Sequence, residues 1–275
     1  MRNLILITGI CIFLTACQKE QVVNYVIPQK QKLFAACFIG DSDSITSVYL
    51  TRTTPVIGSE NIDKVLIKDA SVQISTFNQT IGLPYDDNLQ VYSTQANTLI
   101  IKPGIAYTLK VNAGNESVSG TTVVPVPAAV VLNTKIDSTL IAGDLFNTYR
   151  IETTCLQTSA GRYPIRLAAI MVFEDSGKVE LTAEETNLLF EMEQNSSKTV
   201  HFTQFGYDIF SKPVRLEIIA LTTDEAYYKY HQNIEKYKLN FFIPFGEPFF
   251  IYSNMSNKIG ITGSYSTSHV TMYPL

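Results

Sequence analysis

The sequence predicts a mainly β protein: a β-sandwich over residues 31–127, then a β-rich domain over residues 128–275 with one or two short helices. Two observations carry this expectation. The chain is rich in side chains that suit a pleated, half-buried surface, with 15 Tyr, 15 Phe and many Thr, Val and Ile. From Leu33 onward, short apolar or alternating runs are separated by turn signals. Hydrophobic residues make up 45% of the 275 and charged residues 17%, a globular balance with room for a sizeable core.

The first sixteen residues stand apart. Arg2 gives a positive start, and Leu4 to Ala16 form an apolar run. As a helix that run would reach about 20 Å, short of the roughly 30 Å hydrocarbon core of a bilayer. A signal peptide over residues 1–16 is the expected reading. Its end, Leu14-Thr15-Ala16-Cys17, resembles the lipobox of bacterial lipoproteins. That resemblance implies acylation of Cys17, which becomes the first residue of the mature chain. Two or three acyl chains, at about 0.8 kcal/mol per buried methylene, anchor a protein stably. Gln18-Lys19-Glu20 resembles the Lys-plus-acidic export signal of surface lipoproteins in Bacteroidota, implying the cell surface, with the periplasmic face of the outer membrane as the alternative. Residues 17–30, polar with Pro28, read as a lipidated tether.

Leu33–Ile39 and Ile45–Thr51 read as strands around the turn Gly40-Asp41-Ser42-Asp43. Asp69–Ile74 alternates, placing Ala70, Val72 and Ile74 on one face, and Ile105–Val111 turns Tyr107, Leu109 and Val111 inward. Pro125 and Pro127 mark a boundary, since alternate prolines remove backbone donors and favour an extended exit. Beyond it, Tyr149–Gln157, Ile165–Phe173 and Val214–Leu221 read as strands. Thr182-Ala183-Glu184-Glu185 has the capping-box pattern and predicts a short helix to about Gln194. Thr222-Thr223-Asp224-Glu225 repeats the pattern and predicts a helix over about 224–238. There Tyr227, Tyr230, Ile234 and Tyr237 share a face expected to pack on a sheet.

Chemistry-bearing motifs are scarce. Without Arg2 the chain carries 20 basic and 25 acidic residues and no long basic run, so nucleic acid is not an expected partner. His201, His231 and His269 are scattered and read as surface or satisfied histidines, not metal ligands. Asp41-Ser42-Asp43-Ser44 begins like a calcium loop, but Thr46 and Arg52 stand where Gly and Glu are needed, leaving a solvated turn. Asp86-Asp87 and Glu184-Glu185 are sequence neighbours, not a facing acid–base pair. No nucleophile elbow, dinucleotide fingerprint or P-loop occurs. Cys37 and Cys155 read as two separate buried thiols, although an oxidising envelope permits a bridge. The aromatic run Phe241–Tyr252 reads as a buried strand–turn–strand, or as a partner interface. No catalytic residue, cofactor or metal is expected.

The stretch from Tyr227 to Ser266, with Glu247-Pro248, Tyr252-Ser253-Asn254 and Gly260-Ile261-Thr262-Gly263, resembles the end of the Bacteroidota lipoprotein family called domain of unknown function 4249. Lys258 and Thr262 stand where that family has Gly and Phe. Asp69-Ala70-Ser71-Val72, Pro103-Gly104 with Tyr107, and Val124-Pro125-Val126-Pro127 are similar to its first-half landmarks. The resemblance implies an N-terminal immunoglobulin-like, or carboxypeptidase-regulatory-like, sandwich and a second β-rich domain. It also implies a setting near TonB-dependent receptors, and carries no catalytic residues with it.

The expected function is therefore that of a non-enzymatic outer-membrane or surface lipoprotein, binding or assisting a TonB-dependent receptor or another outer-membrane protein. An envelope hydrolase with a site formed only in three dimensions is one alternative, and a structural or adhesive module another. Asp43-Ser44-Ile45 and Asp137-Ser138-Thr139 resemble the Bacteroidota O-glycosylation pattern. Intact mass reads both modifications. Cys17→Ala should yield a chain without acyl mass that leaves the membrane fraction; an acylated, membrane-retained variant would contradict the anchor.

Overall fold

The computed structural model describes residues 31–54, 65–94, 98–127, 130–140, 147–157, 162–175, 178–182, 188–205, 212–241 and 250–273. Cys17, the segments before and after it, Glu184-Glu185 and residues 242–249 of the aromatic run lie outside them.

The first half contributes β1 (Leu33–Gly40), β2 (Ser47–Arg52), β3 (Ser71–Ser75), β4 (Thr80–Leu83), β5 (Tyr85–Asp86), β6 (Val91–Ser93), β7 (Ala106–Ala113) and β8 (Glu116–Val123). The second contributes β9 (Val130–Leu140), β10 (Asn147–Gln157), β11 (Tyr163–Asp175), β12 (Lys178–Thr182), β13 (Leu188–Met192), β14 (Ser197–Phe205) and β15 (Lys212–Thr223). Helix α1 (Glu225–Phe241) and β16 (Gly260–Met272) follow. The large sheet runs β12-β11-β15-β16-β1-β2-β6-β5, with β13 also on β11. A four-stranded sheet, β4-β3-β7-β8, and a three-stranded sheet, β14-β10-β9, complete the mainly β architecture.

Alternation explains what each strand buries. Leu33, Ala35, Cys37 and Ile39 of β1 meet Val72 and Ile74 of β3 and Tyr107, Leu109 and Val111 of β7 in one core. Ile165, Leu167, Ala169, Met171 and Phe173 of β11 meet Ile151 and Cys155 of β10 and Phe202 of β14 in a second. The two cores draw on the sequence either side of Pro125 and Pro127, except that Met255, from the C-terminal segment, packs in the first. Cys37 and Cys155 are unbridged and buried, one in each core. Burial pushes their thiols up, to about 12 and about 11, which keeps them as unreactive packing groups.

One sequence expectation fails. Among the described residues of the stretch from Thr182 to about Gln194 the predicted helix is not found: Thr182 ends β12, and Leu188–Met192 is β13, antiparallel to β11. Alternation of Leu188, Phe190 and Met192 toward the second core outweighs the capping-box signal at this stretch. Of the aromatic run, Phe241 closes α1 and Phe250 is 91% exposed outside any strand, while residues 242–249, most of the expected strand–turn–strand, lie outside the described residues.

The cores are joined through β16, antiparallel to β15 and parallel to β1, with Ala35 opposite Gly260 and Gly40 opposite Tyr265. Its first residue must be glycine. Gly260 has φ +97°, and a Cβ there would sit 2.1 Å from the Ala35 carbonyl oxygen. Gly260→Ala is expected to destabilise the protein by about 3 kcal/mol or more through strain and clash together, read by urea unfolding. Gly82→Ala, where an added Cβ meets nothing within 4 Å, should leave stability within about 1 kcal/mol of wild type.

Candidate functional site

The large sheet turns a second face away from the cores, and α1 lies against one end of it. Asp224 starts the helix: its backbone nitrogen donates to Ser264 O (2.9 Å), and its Oδ1 accepts from Tyr227 N (2.7 Å). Thr122 of β8 donates to Asp224 Oδ2 and lies 2.6 Å from Ser264 Oγ. Asp224 is thus the N-cap, while Thr222 and Thr223, the first letters of the predicted box, remain in β15. Burial raises its carboxyl above the ordinary range, and those hydrogen bonds counter part of that rise.

Period-two alternation brings Phe38 of β1, Tyr265 and Thr267 of β16, Ile219 and Leu221 of β15 and Arg166 of β11 to this outer face. Arg166, Leu221 and Thr267 form one cross-strand row. Together with Tyr227 and His231 of α1 they bound a cleft of about 440 Å³, a size suited to a small ligand. Gly263 makes room for the helix, since a Cβ there would come within 3.1 Å of both Phe38 and Tyr227.

The rings lock together. Tyr227 and His231, one helical turn apart, have centroids 4.2 Å apart, and Phe38 lies 5.2 Å from Tyr227 and 5.1 Å from His231. Arg166 donates through Nη1 to the Tyr227 hydroxyl and lies 5.8 Å from its ring centre. Of the tyrosine face expected from the sequence, Tyr227 is buried and Tyr230 and Ile234 are half-buried, but Tyr237 is exposed. His231 completes the face instead.

His231 is neither the surface nor the satisfied histidine expected. It is half-buried, and Nε2 is shielded from solvent without a hydrogen-bond partner. Burial, helped by the Arg166 guanidinium, lowers its pKa to about 4, so the imidazole is neutral at pH 7. His201 and His269 do lie on the exposed surface, His201 Nδ1 sitting 3.8 Å from Glu152 Oε2.

The turn after β1 is not simply solvated. Asp43 is half-buried; Tyr265 Oη donates to both carboxylate oxygens at 2.9 Å, and Gly40 N donates to Oδ2 at 2.9 Å. Asp41 Oδ1 accepts from Thr267 N at 2.9 Å. These aspartates hold β16 to the end of β1. Burial raises the Asp43 carboxyl, and burial with the Asp43 charge raises the Tyr265 phenol. Among the described residues no three His, Cys, Asp or Glu side chains converge as metal ligands.

Tyr252, Asn254 and Asn257, ahead of β16, are equally tied down. Tyr252 N donates to Asn233 Oδ1 of the helix at 2.8 Å. Asn254 accepts from Thr262 N at 2.9 Å, and donates through Nδ2 to Thr262 O at 2.7 Å and Thr121 O at 3.2 Å. Asn257 Nδ2 reaches Leu33 O at 2.7 Å. The profile of a protein family described as Domain of unknown function (DUF4249) matches residues 20–271. The chain belongs to this family. No curated protein matches it. The C-terminal residues that resemble the family's have physical roles: Asn254 brackets the start of β16, and Gly260 and Gly263 permit the approach of β1 and α1. Lys258, in the place of a glycine, keeps the left-handed conformation at φ +60°.

The histidine gives the site a pH signature. An unfolded histidine takes up a proton near pH 6.5, whereas folded His231 resists until about 4. Between those values the unfolded chain binds more protons, so this group lowers stability as pH falls from about 6.5 to 4. Asp43 and Asp224 act in the opposite sense, contributing stability at low pH that is lost as pH rises through their raised folded values. Comparison with His231→Gln isolates the histidine: on going from about pH 7 to pH 4.5 the variant should lose about 2 kcal/mol less stability than wild type in urea unfolding.

Proposed function

We propose that the protein is a lipid-anchored, non-enzymatic binding component of the outer membrane of a Bacteroidota-type bacterium. It is exposed at the cell surface and serves as an accessory of a TonB-dependent transport assembly. The lipobox ending at Cys17 and the Gln18-Lys19-Glu20 stretch support the address. The observation that carries the binding role is the cleft of about 440 Å³ between α1 and the outer face of the large sheet, in which apolar walls (Phe38, Ile219, Leu221) surround a few polar groups (Arg166, His231, Tyr265), the make-up of a small-ligand site.

One observation favours the enzymatic alternative. Asp43, His231 and Tyr265 share the cleft, and each has a displaced proton affinity, as groups in active sites do. Against it, both Asp43 oxygens are occupied by Tyr265. Hydrolysis of chromogenic esters or glycosides, lost in His231→Ala, would move the assignment to a hydrolase.

The accessory role predicts that an outer-membrane β-barrel receptor copurifies stoichiometrically from gently solubilised membranes. A photo-crosslinker at exposed Ser42, on the cleft rim, should join the two. A protein recovered alone in repeated preparations would overturn the transporter partnership.

A further inference from the structure

We infer that the outer edge of β9 pairs with the same edge of a second copy of this chain, giving a two-fold antiparallel dimer centred on Ile136. The cleft takes no part in this contact, and either can hold without the other.

Strand β9 is the last strand of the sheet β14-β10-β9. Its residues from Val130 to Leu140 pair with β10 on one side, and among the described residues no strand pairs with it on the other. An edge of this kind presents a row of unpaired N–H and C=O groups, and the complement of that row is another extended strand. Among the described residues β9 is also the longest strand at a sheet edge. Asn133 and Lys135 are exposed, and a groove of about 660 Å³ borders Asn133, Thr134 and Lys135, so the middle of the strand is open to solvent.

The charge pattern selects a second copy as the occupant. A two-fold axis normal to the sheet keeps each residue on its own face, so β9 can pair with itself only in registers two residues apart. The register centred on Ile136 sets Lys135 opposite Asp137 of the second copy, and Asp137 opposite its Lys135. It also sets Thr134 opposite Ser138, Asn133 opposite Thr139 and Leu132 opposite Leu140. The next register in one direction puts lysine against lysine, and in the other aspartate against aspartate. A lone lysine on an edge repels a second copy. An aspartate two positions on reverses that effect, in one register only.

The neighbouring strands continue the pattern. Glu152 is the β10 partner of Lys135, and Arg150 is the β10 partner of Asp137. Across the dimer the row would read Glu152, Lys135, then Asp137 and Arg150 of the second copy, alternating in sign, and the axis repeats it. On the opposite face Phe202 and Ile151 are buried and share a row with Ile136, which would run on into its own symmetry mate. Such a contact is isologous, so it closes at two copies.

Sedimentation equilibrium of the purified full chain, in detergent matched to the solvent density, reads the assembly. A single strand pair is a small interface, so the concentration range extends to about 200 μM. Wild type should pass from monomer to dimer within that range. Lys135→Asp and Asp137→Lys each turn two opposite-charge contacts into two like-charge ones, so each alone should self-associate at least about tenfold more weakly. Mixed in equal amounts, the two variants should dimerise as wild type does, since each supplies the charge the other lacks. Misfolding cannot produce that rescue, which separates lost pairing from lost structure; circular dichroism checks each variant first. A monomer throughout the range, association without limit, undiminished dimers in either variant alone, or a mixture no better than its components would overturn the dimer. A glycan on Ser138 of the native protein would overturn it too, because it would occupy this edge.

Discussion

Strand β16 has a parallel neighbour, β1, on one side and an antiparallel neighbour, β15, on the other. Without it, the strands of the first half and those of the second would each end in a long unpaired edge, a surface open to aggregation. With it, both become one sheet and the two cores are held in one fold. A parallel pair needs a crossover, and here nearly the whole chain serves as one: Asp43 and Tyr265, which bond across this junction, are 222 positions apart. Closing so long a loop is entropically unfavourable, and local features at each end offset it. Gly260 admits the Ala35 carbonyl, Asn254 and Asn257 fasten the approach, and Asp41 and Asp43 fasten the far end.

The same constraint fixes the helix. Asp224 bonds to backbone or side-chain groups of β8, β16 and α1, so one half-buried carboxylate sets the helix start relative to both sheets of the first core. Gly263 then lets Tyr227 descend onto Phe38. A carboxylate in this position contributes more to the choice of one arrangement than to net stability, because its desolvation offsets much of the gain from its hydrogen bonds.

Strands were readable where alternation was strong. Val72 and Ile74, or Tyr107, Leu109 and Val111, declare an inner face within a few residues, and burial follows it. The helix from Glu225 was readable for a similar local reason. The reading failed where two local signals competed: at Thr182 a capping pattern was favoured over the alternation of Leu188, Phe190 and Met192. The cleft was not legible at all. Its polar groups come from a turn at Asp43, from Arg166 on β11 and from His231 on α1, and only strand register brings them together. Tyr227 and His231, four residues apart, were the single local trace, and without Phe38 and Arg166 that spacing marks any helix face. The aspartates of the turn looked solvated because their partners, Tyr265 and Thr267, lie at the other end of the chain.

The cleft's position also determines what occupancy would do to the fold. Phe38, Tyr227 and Tyr265 belong to the β1–α1–β16 side, and Arg166, Ala168 and Ile219 to strands that wall the second core. A ligand that touches both sides adds its binding free energy to the junction that β16 makes, and stabilises it by mass action. The site is also built so that little needs to move. The aromatic rings brace one another, Asp43 is held by two donors, the Tyr265 hydroxyl and Gly40 N, and Arg166 is steadied by Tyr227, so little of the cleft is left to be ordered on binding.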